Sequence, residues 1–586
     1  MVRLVLTVVT IPLAALASPA AEPADWSSYN GTVSGWRCNT AEKHLSAANV
    51  AQLEEKWRFP ARDTSRTIGV VHGTPVVVAG CVYFATATEP TVYKLTPDGQ
   101  LEWSYRLTPR PANKKLDVPA EEQSPGVYGS VLVTDDGVYC ADLAGYLYGL
   151  DRQTGREKWK VDTRAPPFPN PHPLNGSFAS PILADGKIIF AGGAFEQWYA
   201  HKKGYKGCTG RGFVVAVDPR SGQVMWKYDV GPKPEPLDPP LTIRDAWGEH
   251  VFHFGPSTST VWSTPSYDAE SNTLFFGTDT HNSPRRPTPD NPRLDTDYGC
   301  AIIAIDAASG QEKWVTPINR GDIWHRGMRG YDPQTGRYLD QSIGDTPKVY
   351  TITRDGQAVR VVGAGCKNGG FYVLHAKTGA ILAHTPIYRG PPKLPLDPPP
   401  DRRTLALPGP LGGLQTGCAT DGRCVFTNGL DAILLGTQES EAASLAPPTA
   451  GRVVCLSGDT RCEHWRHERP KTVPAGRGLR LLVKECGDPV ASGVAVANGV
   501  VYFTTTISQK LVVLDASRGQ LLKEIAIGPV WSGPAVSRGR VYVGTGNVLF
   551  SSAGDFTLFP HQPHGVIISF GLPGDDEISR LGRRPK

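Results

Sequence analysis

Residues 304–314 read A-x-D-x-x-S-G-x-x-x-W, with Ala304, Asp306, Ser309, Gly310 and Trp314 at the fixed places. An Asp and a Ser can hydrogen-bond the backbone of a turn and Gly accepts positive φ, so the pattern describes a tight corner between two strands, the second carrying a Trp. The same spacing returns at Asp151, Thr154, Gly155 and Trp159, and at Asp218, Ser221, Gly222 and Trp226. Looser copies run through His375, Thr378, Gly379 and Ala383, through Ser457, Thr460, Arg461 and Trp465, and through Asp515, Arg518, Gly519 and Lys523. A copy one residue shorter uses Thr96, Asp98, Gly99 and Trp103. A corner that recurs this often ties the chain to one repeating supersecondary unit.

The corners are preceded by strand pairs of one type, such as TPVVVAGCVYFAT from Thr74, GSVLVTDDGVYCAD from Gly129 and ASGVAVANGVVYFTT from Ala491. Alternating apolar runs joined by AG, DG or NG turns are hairpins, and two hairpins per unit make a four-stranded antiparallel sheet. Repeated at roughly 40 to 60 residues, insertions included, such sheets predict an all-β fold, the β-propeller. Starts near residues 74, 129, 179, 263, 346, 415, 491 and 532 give eight blades. LEEKWRF at 53–59 resembles the Trp-bearing outer strand of a blade that lacks its other strands, while VSRGRVYVGTGN and GVIISF near the C-terminus lack that outer strand. The two ends are expected to complete one blade and remove the open sheet edges. Residues 21–570 then form a single propeller, with the repeated Trp residues docking between blades and a flexible tail at 571–586. The Pro-rich, charged insertions at 232–254, 281–296, 389–407 and 439–450 are expected as loops on its faces.

Arg3 precedes an apolar run over 4–16, followed by the small residues Ala17 and Ala20. That pattern predicts a secretory signal peptide at 1–20, too short to span a bilayer, and a chain that is secreted or periplasmic and not membrane-spanning. Lys+Arg 61 against Asp+Glu 56 leaves +5 with both signs scattered, which gives no footprint for nucleic acid. Cys 11 in an exported chain permits disulfides and leaves at least one thiol over; Cys455 with Cys462, and Cys418 with Cys424, are the local candidates.

Tandem blades with these corners, GTP-like strand starts, and a GD-x-W turn at Gly321 to Trp324 resemble the quinoprotein dehydrogenases that use pyrroloquinoline quinone (PQQ). WSSYNGTVSGWRCNTAEKHLSAANVAQLEEKWRF and GGLQTGCATDG look like the polyvinyl-alcohol dehydrogenase branch. The resemblance implies oxidation of an alcohol by hydride transfer to a quinone lying in a central funnel. It implies a Trp under the ring, a calcium ion (Ca2+) on its carbonyls and a cation at the opposite edge. Trp262 matches the stacking position, and Lys367, followed by Asn368, matches the cation. Glu196 lies where the family places a calcium carboxylate, and Thr280 stands where it has an Asn ligand, with Asp279 before it able to supply an oxygen instead. His325 stands where the family carries an acidic base; a neutral imidazole can accept a proton, and Asp322 is the alternative.

Other signals bound this reading. GAGCKNGG mimics a phosphate loop, but no βαβ unit follows it. The adjacent Cys pair that covers the quinone in many members is absent. No C-x-x-C-H occurs, so electrons would leave to an external acceptor such as a cytochrome c. Cys462, His464 and His467 straddle a blade Trp, which argues against a zinc site. No G-x-S-x-G elbow suggests a hydrolase. The rival is a non-catalytic propeller acting as a protein-binding scaffold in the cell envelope. The two separate on whether Trp262, Lys367, Glu196 and His325 gather around one cavity.

Overall fold

The corner motif folds as its residues dictate. Asp218 Oδ1 accepts both the N–H and the hydroxyl of Ser221, each at 2.8 Å, and Gly222 takes φ +74°. The computed structural model describes residues 24–574 apart from 111–125, 203, 246–247, 259, 329–330, 333–336, 339, 390–392, 395–404, 407, 409–411, 436–443, 475, 478–483 and 550–558. The signal-peptide expectation and most of the expected tail therefore lie outside the described residues, as does most of the 389–407 insertion.

Eight antiparallel sheets follow one another along the chain: blades 1 to 7 at 76–106, 132–162, 182–229, 266–317, 348–386, 419–468 and 495–526, and blade 8 at 535–571. The innermost strands begin two to four residues inside the starts expected from sequence, at Val76, Leu132, Ile182, Ser266, Lys348, Ala419, Ala495 and Ala535. Blade 8 is completed by Glu54–Phe59, which pairs antiparallel with Ile567–Gly571, so the two ends of the chain close the ring. The 232–254 insertion is a hairpin and not an irregular loop: Glu235–Asp245 pairs with Gly248–Gly255. Its Leu237 and Phe252 are buried with Ile323 and Met328 in a small cluster of their own.

The Trp residues join the blades. At six seams an outer-strand indole donates to a carbonyl of the next blade's corner at 2.8 to 3.1 Å, from Trp57, Trp103, Trp159, Trp226, Trp314 and Trp465. Each of these rings covers the corner glycine of the neighbour, where a Cβ would collide with it. Two seams differ. Ala383 faces blade 6 without an indole, and at blade 8 Lys523 Nζ reaches the Ala51 carbonyl at 2.9 Å.

A strap at 26–39 crosses one end of the axis. It hydrogen-bonds the inner strands of blades 1, 2 and 4 to 8, through Val77, Val133, Tyr267, Val349, Thr420, Val496 and Val536. Arg37, fully buried, fills the centre: its guanidinium donates to the carbonyls of Val494 (2.8 Å), Tyr29 (2.6 Å) and Pro534 (3.3 Å) and to the Thr74 hydroxyl (3.3 Å). Burial lowers its pKa while Tyr29 and Asp345 support its charge. Arg37 thereby ties the strap to blades 1, 7 and 8.

Candidate functional site

Further from the strap, the residues four places before each innermost strand form a ring. His72, Tyr128, Phe178 and Trp262 introduce blades 1 to 4; Gly344, Gln415, Ala491 and Trp531 introduce blades 5 to 8. The strand starts are stitched together by Ser532 Oγ to the Gly73 carbonyl (2.9 Å), Ser130 Oγ to the Thr74 carbonyl (2.8 Å) and the Ser130 N–H to Ser180 Oγ (2.8 Å). His72 stacks on Tyr128 with centroids 5.1 Å apart, and Tyr128 meets Phe178 edge-on at 4.9 Å. Trp262 leans on Gly344 so closely that any Cβ there would strike its ring. Arg37 holds Thr74, Val494 and Pro534, two or three residues beyond His72, Ala491 and Trp531, so the strap backs the ring from that side.

The polar side of the ring is the junction of blades 4 and 5. Lys367, 5% exposed, donates from Nζ to Asp340 Oδ1 at 2.7 Å. Its backbone N–H donates to the Ser342 carbonyl at 3.1 Å, and the Ile343 N–H donates to that of Thr278. Asn368 serves the turn: Oδ1 accepts the Gly370 N–H at 3.0 Å and Nδ2 donates to Tyr372 Oη at 2.7 Å. Asp279 accepts the Thr280 N–H at 2.9 Å and the Thr260 hydroxyl at 3.4 Å.

The two residues expected to take a proton have other partners. Asp322 is buried, and its carboxylate accepts the N–H groups of Asp340 (2.9 Å) and Gln341 (2.7 Å), the Cys300 thiol (3.4 Å) and the Asn319 amide (3.5 Å). Burial pushes its pKa up to about 6 against the pull of those donors. His325 lies under the inserted hairpin, its ring centroid 4.9 Å from that of His250 and 5.9 Å from that of Phe252. Its Nδ1 accepts the Gly327 N–H at 3.0 Å, so in the neutral ring the proton sits on Nε2 and neither nitrogen is a vacant acceptor.

Glu196 is likewise committed. Oε1 accepts from Tyr205 Oη (2.8 Å) and from the N–H groups of Cys208 (2.7 Å) and Thr209 (3.2 Å), and Oε2 from that of Gly210 (2.7 Å). These donors make it the cap of its own loop. Among the described residues no group of three or more His, Cys, Asp or Glu side chains could hold a metal ion. The fit to a flat polar ring is better: Thr280 Oγ1, Ser342 Oγ and both ring nitrogens of His72 are buried without a hydrogen-bond partner around this ring of residues. Burial drives His72 down to about 3, so it is neutral at ordinary pH.

The structure thus brings Trp262, Lys367, Asp279 and Asp322 to one junction, while His325 packs against the inserted hairpin and Glu196 holds its own loop. Sequence reasoning passed over Asp340, Arg37, His72 and Phe178, and found no family match at Tyr128 or Ala491. The ring was signalled by the residue before each GTP-like start; Asp340 carried no motif. All eleven cysteines are unbridged, and Cys424 lies against Cys455 instead of Cys418.

An eight-bladed propeller with aromatic side chains ahead of its first four blades and a buried Lys–Asp pair beside them defines the class. Residues 26–391 match the PQQ family described as glucose/ethanol/alcohol dehydrogenase, beta-propeller domain, and the chain belongs to that family. Residues 449–555 match a second description, outer membrane protein assembly factor BamB. Among curated relatives, the quinohemoprotein alcohol dehydrogenase ADH-IIG of Pseudomonas putida is 27% identical, over 62% of this chain and 45% of its own. A polyvinylalcohol dehydrogenase of Pseudomonas sp. is 23% identical over 94% and 78% respectively. The chain spans about half the length of the first relatives it matches. The solved quinohemoprotein alcohol dehydrogenase of Comamonas testosteroni superposes with a TM-score of 0.67 at 19% identity, covering 97% of this chain and 82% of that one, which confirms the fold.

Proposed function

We propose that the protein is an exported quinoprotein oxidoreductase that oxidises an alcohol and passes the electrons to an external acceptor such as a cytochrome c. The observation that carries this reading is the junction of Trp262 and Lys367: an indole and a buried cation where blades 4 and 5 meet, beside hydroxyls that lack partners. PQQ, when bound, supplies the electrophilic carbonyl that accepts hydride from the alcohol carbon. Trp262 offers the ring a flat face. Lys367 holds positive charge where negative charge develops, and Thr280 and Ser342 offer hydroxyls for orientation. No step is drawn through calcium, because Glu196 and Asp279 are already bonded elsewhere.

The scaffold reading draws on one observation, the match of 449–555 to the BamB description. One experiment decides. PQQ is added to the purified full chain, with and without calcium, and cofactor absorbance and dye reduction are followed with several alcohols. Binding and dye reduction are expected, with affinity for PQQ lowered about tenfold in Trp262→Ala, as loss of one stacking contact implies. Absence of both signals in the unaltered chain leaves the scaffold.

A further inference from the structure

We propose that Asp340, paired with Lys367 and aimed by Asp322, is the group that takes the hydroxyl proton of the alcohol. The inference rests on the oxidoreductase reading above.

Three features single this residue out. Its side chain is 11% exposed and within 2.7 Å of Lys367 Nζ, so it stands beside the cation proposed to hold the quinone. Only Oδ1 is engaged: among the described residues no hydrogen bond reaches Oδ2, whereas Asp322 has four donors and His325 Nδ1 is occupied. The backbone at Asp340 is held at φ +59°, a conformation that costs a non-glycine residue about 1–2 kcal/mol and persists only where the surroundings impose it.

The surroundings that impose it are visible. Asp322 of the blade 4 connection grips the N–H groups of Asp340 and Gln341, while the Cys366 thiol donates to the Gln341 carbonyl at 3.3 Å and the Lys367 N–H to that of Ser342 at 3.1 Å. Two neighbouring blades thus clamp 340–342 from both sides. Asp322 acts through Asp340 and is a positioning residue. Trp262 packs on Gly344, four residues further along the same segment, which brings the aromatic face and the carboxylate onto one length of chain.

The chemistry balances on groups already named. The alcohol O–H bond breaks and its proton passes to Asp340 Oδ2. The electron pair left on oxygen forms the carbonyl bond as hydride leaves the carbon for the quinone, which is the oxidant. Burial raises the Asp340 carboxyl to about 7, against the pull of Lys367 and with the push of Asp279 and Asp322, so the acid and its base are both populated near neutrality.

The test compares wild type, Asp340→Asn and Asp340→Glu in the full chain loaded with PQQ. Expected is a fall in kcat of about a hundredfold or more in Asp340→Asn with KM within a few-fold, loss of the acid limb of the pH–rate profile, and partial rescue by Asp340→Glu. In the unloaded protein, the infrared carboxylic-acid signal titrating near pH 7 should lose one component in Asp340→Asn, leaving that of Asp142. A merely structural role would shift thermal stability and KM without abolishing the limb, which overturns the proposal. So does Asp340→Asn turnover within threefold of wild type. Where Asp340→Asn fails to fold, a full-rate Asp340→Glu with an unmoved limb also overturns it. A wild type that neither binds PQQ nor turns over removes the oxidoreductase reading and this one together; an active wild type with an unaffected variant removes only this one.

Discussion

The indole of Trp159 donates to the Pro219 carbonyl at 3.0 Å while its ring covers the Cα of Gly222, where a Cβ would come within 2.7 Å of ring carbons. Donor, ring and glycine lie on two successive blades, so the repeat motif is half of each joint on either side of a seam. Trp159→Ala, at a 7%-exposed site, is expected to lower stability by about 3–5 kcal/mol. Gly222→Ala should cost about 2–4 kcal/mol through its positive φ and the displaced indole together. In the double variant the glycine term should shrink to the backbone part, since the ring it offends is gone. Denaturant midpoints of the four proteins check this; strict additivity would show that the two residues are not one joint.

Where the indole is missing, other side chains fill the seam. Ala383 occupies the Trp place on blade 5 and Arg461 the glycine place on blade 6, and with Ile352, Val373, Leu382 and Asp459 they line a crevice of about 10 Å³, room for a single water. Thr385 bridges the gap by donating to the Thr460 carbonyl at 3.0 Å. Ala383→Trp alone should not stabilise, because Arg461 stands where the ring must lie. Combined with Arg461→Gly it should add about 0.5–2 kcal/mol, as cavity filling at a compatible site does. A thermal midpoint that rises for the single variant and not for the pair would contradict the assignment of this gap.

Arg37 carries a third expectation. It is a buried guanidinium whose acceptors are carbonyls and a hydroxyl contributed by the strap and by blades 1, 7 and 8. Arg37→Met would leave those carbonyls without a donor, at a cost of about 2–5 kcal/mol. Arg37→Lys should recover little, since an ammonium cannot reach acceptors set around a planar fork. Hydrogen exchange at Cys38 and Asn39, the short strand that extends blade 7, should accelerate first. Unchanged exchange there would mean that the strap is held by its strand pairing alone.

The blades were legible because the corner motif is mechanical: Asp306, Ser309 and Gly310 specify a turn whatever surrounds them. Closure by 53–59 was legible for the same reason, as Trp57 is a corner partner without a blade. The site was only partly so. Trp262 and Lys367 stand in local patterns, whereas Asp340 meets Lys367 across 27 residues, through a blade-to-blade clamp that no local spacing encodes. Glu196 shows the converse: a carboxylate beside glycines can ligate a cation or cap a loop, and only the placement of the Cys208, Thr209 and Gly210 amides decides between them.

Asp142 permits a test of burial free of the proposed chemistry. It is fully buried in blade 2, accepts the Tyr146 N–H at 2.8 Å and the Tyr148 hydroxyl at 3.3 Å, and burial pushes its pKa up to about 7 against the pull of Arg164 and Arg110. A carboxyl raised above its ordinary value of 3.8 takes up a proton on folding. Its contribution to stability is therefore fully present below that ordinary value and is lost as pH rises through about 7. Depressed histidines such as His72 run the opposite way, so the informative quantity is a difference between two proteins. Asp142→Asn mimics the protonated acid at every pH. The stability of wild type minus that of the variant should fall between pH 4 and pH 8 by up to about 4 kcal/mol. A pH-independent difference would mean that Asp142 keeps its charge through folding, compensated by the two arginines.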